Sequence, residues 1–389
     1  IFFWVARMMM MGSYFMKSSP FKDVYIHPLI RDEKGQKMSK SKGNIVDPLV
    51  LLDKYGADTL RFTLAALLNP GRDVKLAESR VKGYKSFTNK IWNASNFLEL
   101  NNCKIDNNFN ISEIKIPINQ WLINELAITK NDIEKYISKY LFHEVANSIY
   151  HFVWHTYCDW YIEFAKSLFN DDIKKSKETK STAIWVFREI LKISHPVMPF
   201  ITEKLWSKLF DSSNFLMNET FTELDIQNKF LPSQNNFKNL ILIITSVRNL
   251  RSELNIPYKN KIVLNINNEN NDFISFLEVF NREIIRLLKL ENLFFNDKSI
   301  SNEGSANIIT SDSMLVIPLK NIIDTDKEIM KLNQKKNKEL LEMNNLNNKL
   351  NNIQFINKAP KNVILQFKNQ AEEMKISIDK IEQIINTIK

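Results

Sequence analysis

Glycine is scarce, at 7 of 389 residues. That excludes a glycine-rich or turn-dense β fold, and the chain has no Gly-x-Gly-x-x-Gly dinucleotide fingerprint. The two cysteines, Cys103 and Cys158, lie far apart in sequence. They exclude a cysteine-rich zinc knuckle and suggest no disulfide scaffold, so a reduced, cytosol-like compartment is the default expectation. Long hydrophobic runs are missing too. The most apolar stretch, IFFWVARMMMMGSYFM at the start, is interrupted by Arg7 and follows no basic region. It is too short to span a bilayer and does not read as a signal segment. It reads instead as a buried helix, Ile1 to Met11, of a domain that begins earlier. The chain is therefore expected to be part of something longer.

What is present is ordinary for a soluble protein: 44% apolar and 25% charged residues. The length allows two to four domains at roughly 100–200 residues each. Lys and Arg number 53 against 44 Asp and Glu, a net charge of +9. That excess suits a polyanionic partner such as nucleic acid, and equally suits plain solubility. Asn, Lys and Ile are abundant throughout, loops included, which points to compositional bias as a source of part of the charge.

Along the chain, element types change in blocks. Asp23 to Ile30 is rich in β-branched and aromatic residues and reads as a strand. A polar turn and the cationic run KMSKSKGN follow. Asp47-Pro48 is an N-cap with proline at the first helical position, opening a helix over Leu49 to Tyr55. From Ser79 to Phe210 apolar residues recur every three or four positions, as a helical bundle requires. Beyond an Asn- and Gln-rich stretch, a small α+β module is predicted: helices over Phe237 to Leu254 and Asp272 to Leu288, and strands over Ile262 to Asn267, Asn307 to Thr310 and Met314 to Leu319. Two heptad-like runs, Ile322 to Ile353 and Phe367 to Ile388, flank Pro360. They predict an antiparallel helical hairpin, with amphipathic helices packed on the body as the plainer alternative.

Lys37 to Gly43 holds three ammonium groups and two hydroxyls between a strand and a helix N-terminus. A mobile loop of that composition can close on a triphosphate. Lysine–phosphate hydrogen bonds strengthen as negative charge moves to the leaving pyrophosphate, which is catalysis by preferential binding of the transition state. On these residues alone, a solvated charged turn is the plainer reading.

The flanks decide between the two. FFWVARMMMMG, FKDVYIH, DEKGQKMSKSKGNIVDPL and YGADTLRFTLA, in that order, resemble the class I aminoacyl-tRNA synthetases, and among them the valyl-tRNA synthetases. FTNKIWNASNF, HPVMPFITEKLW, RSELNIPYKNKI and the terminal hairpin extend the resemblance over essentially the whole chain. It implies ATP-driven ligation of valine to its tRNA through a valyl-adenylate. The implied fold is multidomain and mainly α: the end of a Rossmann-like α/β catalytic domain (residues 1–75), an anticodon-binding helical bundle (76–235), a small α+β module (236–321) and a coiled-coil tRNA-binding arm (322–389).

Residue by residue, the resemblance carries over little. Lys37, Met38, Ser39, Lys40 and Ser41 match the family's ATP loop, with Lys37 and Lys40 as the catalytic cations. Trp4 matches a tryptophan of the valine pocket, or else is a core residue. His27 stands where the family reads His-Gly, but Pro28 follows it here, which removes a backbone donor and restricts His27. Trp154, Trp160, Tyr161 and Trp206 are expected in the core, and His195 at a helix end. Lys331, Lys335, Lys336, Lys338, Lys349, Lys358, Lys361 and Lys368 would meet phosphate collectively. The resemblance also implies Mg²⁺ with ATP, no zinc site, no membrane partner, a monomer and a cytoplasmic location. The His-Ile-Gly-His signature and the inserted editing domain are absent from these residues. The alternatives are an isoleucyl- or leucyl-type synthetase, a non-catalytic RNA-binding module, and a structural coiled coil. The last would explain only the terminal segment.

Overall fold

In the computed structural model, residues 2–39, 43–44, 47–71, 73–106, 108–210, 213–221, 224, 230–300, 304–310, 312–319 and 325–351 are described, with isolated helical positions between 367 and 385. The chain is mainly helical and divides into two compact units, Ile1–Gln234 and Asn235–Lys389.

The first unit opens with α1 (Val5–Met11), which continues as a π-wound turn, Gly12–Met16. No residue of either segment is buried, and Phe2, Phe3 and Trp4 are 88%, 78% and 76% exposed. The expected buried helix is therefore an exposed one. Its apolar side chains run around every side of a two-turn helix, so sequence apolarity alone gave no way to tell which face would be covered. The expected strand over Asp23 to Ile30 is also corrected. Residues 23–29 lie outside any strand, and only β1 (Ile30–Arg31) pairs, in parallel with β2 (Val74–Lys75). The Asp73 carboxylate fixes this short ladder by accepting from the Leu29 N–H at 3.4 Å and pairing with Arg31.

Helix α2 (Pro48–Tyr55) starts as its sequence predicts: the Asp47 side chain accepts from the Leu49 N–H at 2.9 Å, and Pro48 occupies the first turn. Gly56, at φ +87°, makes the elbow into α3 (Ala57–Leu67), a conformation that side-chain-bearing residues rarely adopt. Leu51, Tyr55, Leu60, Leu76 and Val81 form a small core under this elbow.

The bundle consists of α4 (Glu78–Leu100), α5 (Pro117–Ser138), a rod running α6 (Phe142–Tyr150), π-wound His151–Tyr161 and α7 (Ile162–Leu168), then α8 (Ile173–Ser194) and α9 (Pro199–Leu209). Tyr150 stacks on Trp154 at 5.5 Å and Tyr157 on Tyr161 at 5.7 Å. The core holds Phe87, Ile91, Leu122, Leu126, Phe164, Phe187 and Trp206. Tyr161 and Trp206 are buried as expected, whereas Trp154 and Trp160 are only partly so. Both thiols are buried, which pushes each up to about 12.

The second unit contains α10 (Leu231–Glu253) from Asn235 onward, and a four-stranded sheet of order β4-β3-β6-β5. The strands are β3 (Ile262–Asn267), β4 (Leu290–Phe295), β5 (Ser305–Ile309) and β6 (Met314–Pro318). β3 and β4 are parallel, joined through α11 (Asn271–Val279) and α12 (Asn281–Leu288). The single helix expected over Asp272 to Leu288 is thus two. The break falls at Phe280, whose buried ring packs against Phe237 and Phe276, both at 5.1 Å. Arg251 of the RSELNIPYKNKI motif is buried. Its guanidinium donates to the carbonyls of Leu288, Pro257, Tyr258 and Asn260, so it organises the turn before β3.

Helix α13 (Thr325–Asn351) follows. Ile378 and Ile385, one heptad apart, are buried, and Lys336 of α13 pairs with Glu382 at 2.7 Å. Residues 352–366, with Lys358, Lys361 and Pro360, lie outside the described residues, as do the side chains of Lys331, Lys335 and Lys349.

Candidate functional site

The cationic loop is held at its base by two residues that sequence reasoning assigned no role. Asp32 builds a tight turn. Its carbonyl accepts from the Gly35 N–H at 2.9 Å, its carboxylate accepts from the Gln36 N–H at 2.7 Å, and its own N–H donates to the Gln36 carbonyl at 3.1 Å. Gly35 takes φ +79° there. Asn44, on the far side of the loop, closes it. The Asn44 amide donates to the Asp32 carboxylate at 2.9 Å and to the Lys37 carbonyl at 3.3 Å, and accepts from the Ser39 N–H at 3.0 Å. One side chain thus fixes both ends of the Lys37–Ser39 backbone and leaves the Lys37 side chain exposed. Met38 and Ser39 are half-buried, and Lys40 and Ser41 lie outside the described residues. The signal for this arrangement was available in DEKGQKMSKSKGN, since an Asx side chain on each side of a loop is a known way to close it.

The Asn44 amide and the Gln36 N–H hold the Asp32 carboxyl below its ordinary value of 3.8. Its contribution to loop order is therefore complete above 3.8 and is lost only as pH falls through the lowered value. The Gln36 amide shift in a pH titration should show a midpoint below 3.8, and Asn44→Ala should raise it. A midpoint that the substitution leaves in place would show that Asn44 does not hold the turn.

The other two expected site residues are exposed. The ring Nδ1 of His27 is 2.9 Å from the Pro28 carbonyl, and the side chain is exposed. Trp4 stands exposed at the N-terminal end of α1. Among the described residues, no group of three or more His, Cys, Asp or Glu is placed to hold a metal ion.

A second constellation joins two motifs far apart in sequence. Asp58, from YGADTLRF, accepts from the N–H groups of Phe200 and Ile201 at 3.2 and 2.5 Å, and so caps the first turn of α9. Arg61, one turn on, donates to the carbonyls of Val197 and Pro196 at 3.1 and 3.0 Å. The turn HPVMPF is thereby gripped at both its carbonyls and its N–H groups by the helix that follows α2. His195 sits at the end of α8, as expected, 2.8 Å from the Thr202 hydroxyl. Its burial lowers the imidazole from the ordinary histidine value.

Basic and aromatic groups meet along α4. Lys90 lies 5.0 Å over the Trp154 ring and pairs with Asp159 at 2.8 Å. Lys208 lies 5.6 Å over Trp92 and pairs with Glu99 at 2.7 Å.

Comparison with known proteins assigns these segments. Residues 1–77 match the tRNA synthetases of class I (I, L, M and V), residues 119–266 the anticodon-binding domain of tRNA ligase, and residues 324–389 the valyl tRNA synthetase tRNA binding arm. The valine--tRNA ligase of Pelagibacter ubique (strain HTCC1062) is 39% identical over 385 residues, covering 98% of this chain and 43% of the relative. That of Aquifex aeolicus (strain VF5) is 37% identical over 404 residues, covering 100% of this chain and 34% of the relative. The segments and their order are those of the class I aminoacyl-tRNA synthetases. The chain belongs to the valyl-tRNA synthetase family, whose C-terminal region it carries. It spans less than half the length of the relatives it matches.

Proposed function

We propose that the chain is the C-terminal part of a valine--tRNA ligase. In this reading it supplies the loop that acts on ATP and the surfaces that hold tRNA(Val). The observation that carries it is the loop base: Asp32 and Asn44 hold Lys37–Ser39 between β1 and α2, inside the segment that matches the class I synthetases. A backbone so fixed presents Lys37 and leads into Lys40, and in this reading the two lysines act together as the cations of the site. When a valine carboxylate oxygen bonds to the α-phosphorus of ATP, the α–β phosphoanhydride bond breaks and charge passes to pyrophosphate. Cations already in place stabilise that charge without reorganising. Mg²⁺ would accompany the triphosphate, and Trp4 would wall the valine side chain.

Residues 76–235 would receive the anticodon stem, 236–321 would form the connecting module, and 322–389 the arm. The buried heptad positions Ile378 and Ile385 and the Lys336–Glu382 pair support an antiparallel hairpin for the arm. The arm match favours valine over isoleucine or leucine. Among the described residues no helix is long and apolar enough to cross a membrane.

The His-Ile-Gly-His signature is not in these 389 residues. Valine-dependent ATP–pyrophosphate exchange should therefore be absent from the chain alone, and should appear when it is joined to the N-terminal portion of the Pelagibacter ubique relative. Robust exchange by the 389 residues alone, or none by the chimera, would contradict the reading.

A further inference from the structure

Beneath the Gly56 elbow, α4 and the start of α9 enclose a cavity of about 470 Å³, within the size range of small-ligand sites. Its polar lining is uneven. Among the described residues that line it, Asp58 is the one carboxylate, and it is occupied in accepting from the Phe200 and Ile201 N–H groups. Lys85 is the one ammonium among them. It is half-buried, it reaches within 3.9 Å of where a side chain on Gly56 would begin, and it has no ion-pair or hydrogen-bond partner for its side chain among the described residues. Nearby lysines differ in this: Lys54, Lys90 and Lys208 each pair with a carboxylate. A half-buried, unpaired cation facing a cavity is a site for an anion.

The other end of the cavity is aromatic. Trp92 lies seven residues after Lys85 on α4, on the same face two turns away. Trp92 is 38% exposed, and Lys208 covers one face of its ring at 5.6 Å, so the opposite face is the one a base would use. Thr88 and Asn89 line the wall between them: the Thr88 hydroxyl donates to the Lys85 carbonyl at 2.8 Å and keeps acceptor capacity, and the Asn89 amide can both donate and accept. A cation, then hydroxyl and amide, then an indole face is the sequence of groups that a nucleotide presents in complement: phosphate, ribose, base. An acidic peptide would use Lys85 but not the indole, and an apolar ligand the reverse.

We propose that this cavity seats one nucleotide of the bound tRNA, with its phosphate on Lys85 and its base against Trp92. The proposal rests on the tRNA-binding reading above and adds a place to it. The cavity floor is the Asp58–Phe200 junction, so the nucleotide would sit where the segment bearing the cationic loop meets the anticodon-binding segment.

The test is fluorescence anisotropy of labelled tRNA(Val) transcript titrated with the full chain at several salt concentrations. Lys85→Met should lower the slope of log affinity against log salt by about one, the signature of a single lost phosphate contact. Trp92→Leu should weaken binding roughly 5- to 150-fold and leave that slope unchanged. Circular dichroism establishes that each variant folds. A wild-type chain that binds tRNA, with a Lys85→Met slope equal to its own or a Trp92→Leu affinity equal to its own, overturns the pocket and leaves tRNA binding standing. No tRNA binding by the wild type overturns both. Adenosine monophosphate that binds the wild type but not Lys85→Met, while tRNA binding is the same in both, makes this a free-nucleotide site and overturns the RNA assignment.

Discussion

Lys40→Ala in the chimera with the Pelagibacter ubique N-terminal portion is expected to slow valine-dependent pyrophosphate exchange by about 10²–10³-fold. That is the range for removing one preorganised donor from a site where charge develops, and at 1.36 kcal/mol per decade it corresponds to roughly 3–4 kcal/mol of transition-state stabilisation. The loss should fall on the catalytic rate more than on the KM for ATP, because the contact strengthens as pyrophosphate departs. Lys37→Ala should act in the same direction. Asn44→Ala should produce a smaller loss of the same kind, since it removes the amide that fixes the backbone under Lys37 and Ser39 but leaves both ammonium groups. An unchanged exchange rate in Lys40→Ala would favour the alternative of an RNA-binding module with a vestigial loop.

Lys130→Met is expected to be the most damaging single change to the bundle. Lys130 and Glu189 join α5 to α8 at 2.5 Å, and their side chains are 1% and 5% exposed. Without Lys130, the Glu189 carboxylate keeps, among the described residues, only the ion pair with Lys192 at 3.5 Å, and Lys192 is itself drawn to Glu219 at 2.8 Å. Breaking a buried pair by removing one partner costs about 3–5 kcal/mol. In a unit of this size that lowers Tm by on the order of 10 °C. Adding Glu189→Leu should recover most of the loss, because an apolar replacement removes the orphaned charge as well. Thermal melts followed by circular dichroism measure both. A single variant melting within about 2 °C of wild type would show that the pair is not what aligns these helices.

How far the sequence could be read depended on whether a residue's partner lay nearby in the chain. The start of α2 was legible because Asp47 and Pro48 act on their own neighbours. So was β3, where alternation and β-branching coincide. The buried places of Tyr161 and Trp206 followed from helical periodicity. The exposure of Phe2, Phe3 and Trp4 did not, because apolarity says that a surface seeks cover and not whether cover is present. The break at Phe280 was hidden for a related reason. Nothing in NDFISFLEVFNREIIRLL breaks a helix locally, and the turn is set by the packing of Phe280 on Phe237 and Phe276.

The same division holds for the candidate site. The lysines of the loop were evident as a run of charge. Asp32 and Asn44, twelve residues apart, became functional candidates only when their hydrogen bond was seen. Asp58 and Arg61 meet residues about 140 positions away, a pairing that no local pattern encodes. Arg251 is the converse case. In a basic chain it invites a phosphate-binding role, yet it is buried and donates to four backbone carbonyls.

The central claim is that this chain holds the tRNA-binding surfaces of a valine-specific ligase. Equilibrium binding of the 389-residue chain to tRNA(Val) and tRNA(Ile) transcripts, each at several salt concentrations, tests it most directly. The account predicts tighter binding of tRNA(Val) at every salt concentration, with affinity for both falling as salt rises because phosphate contacts release counterions. Equal affinity for the two transcripts, or no binding of either, would contradict it.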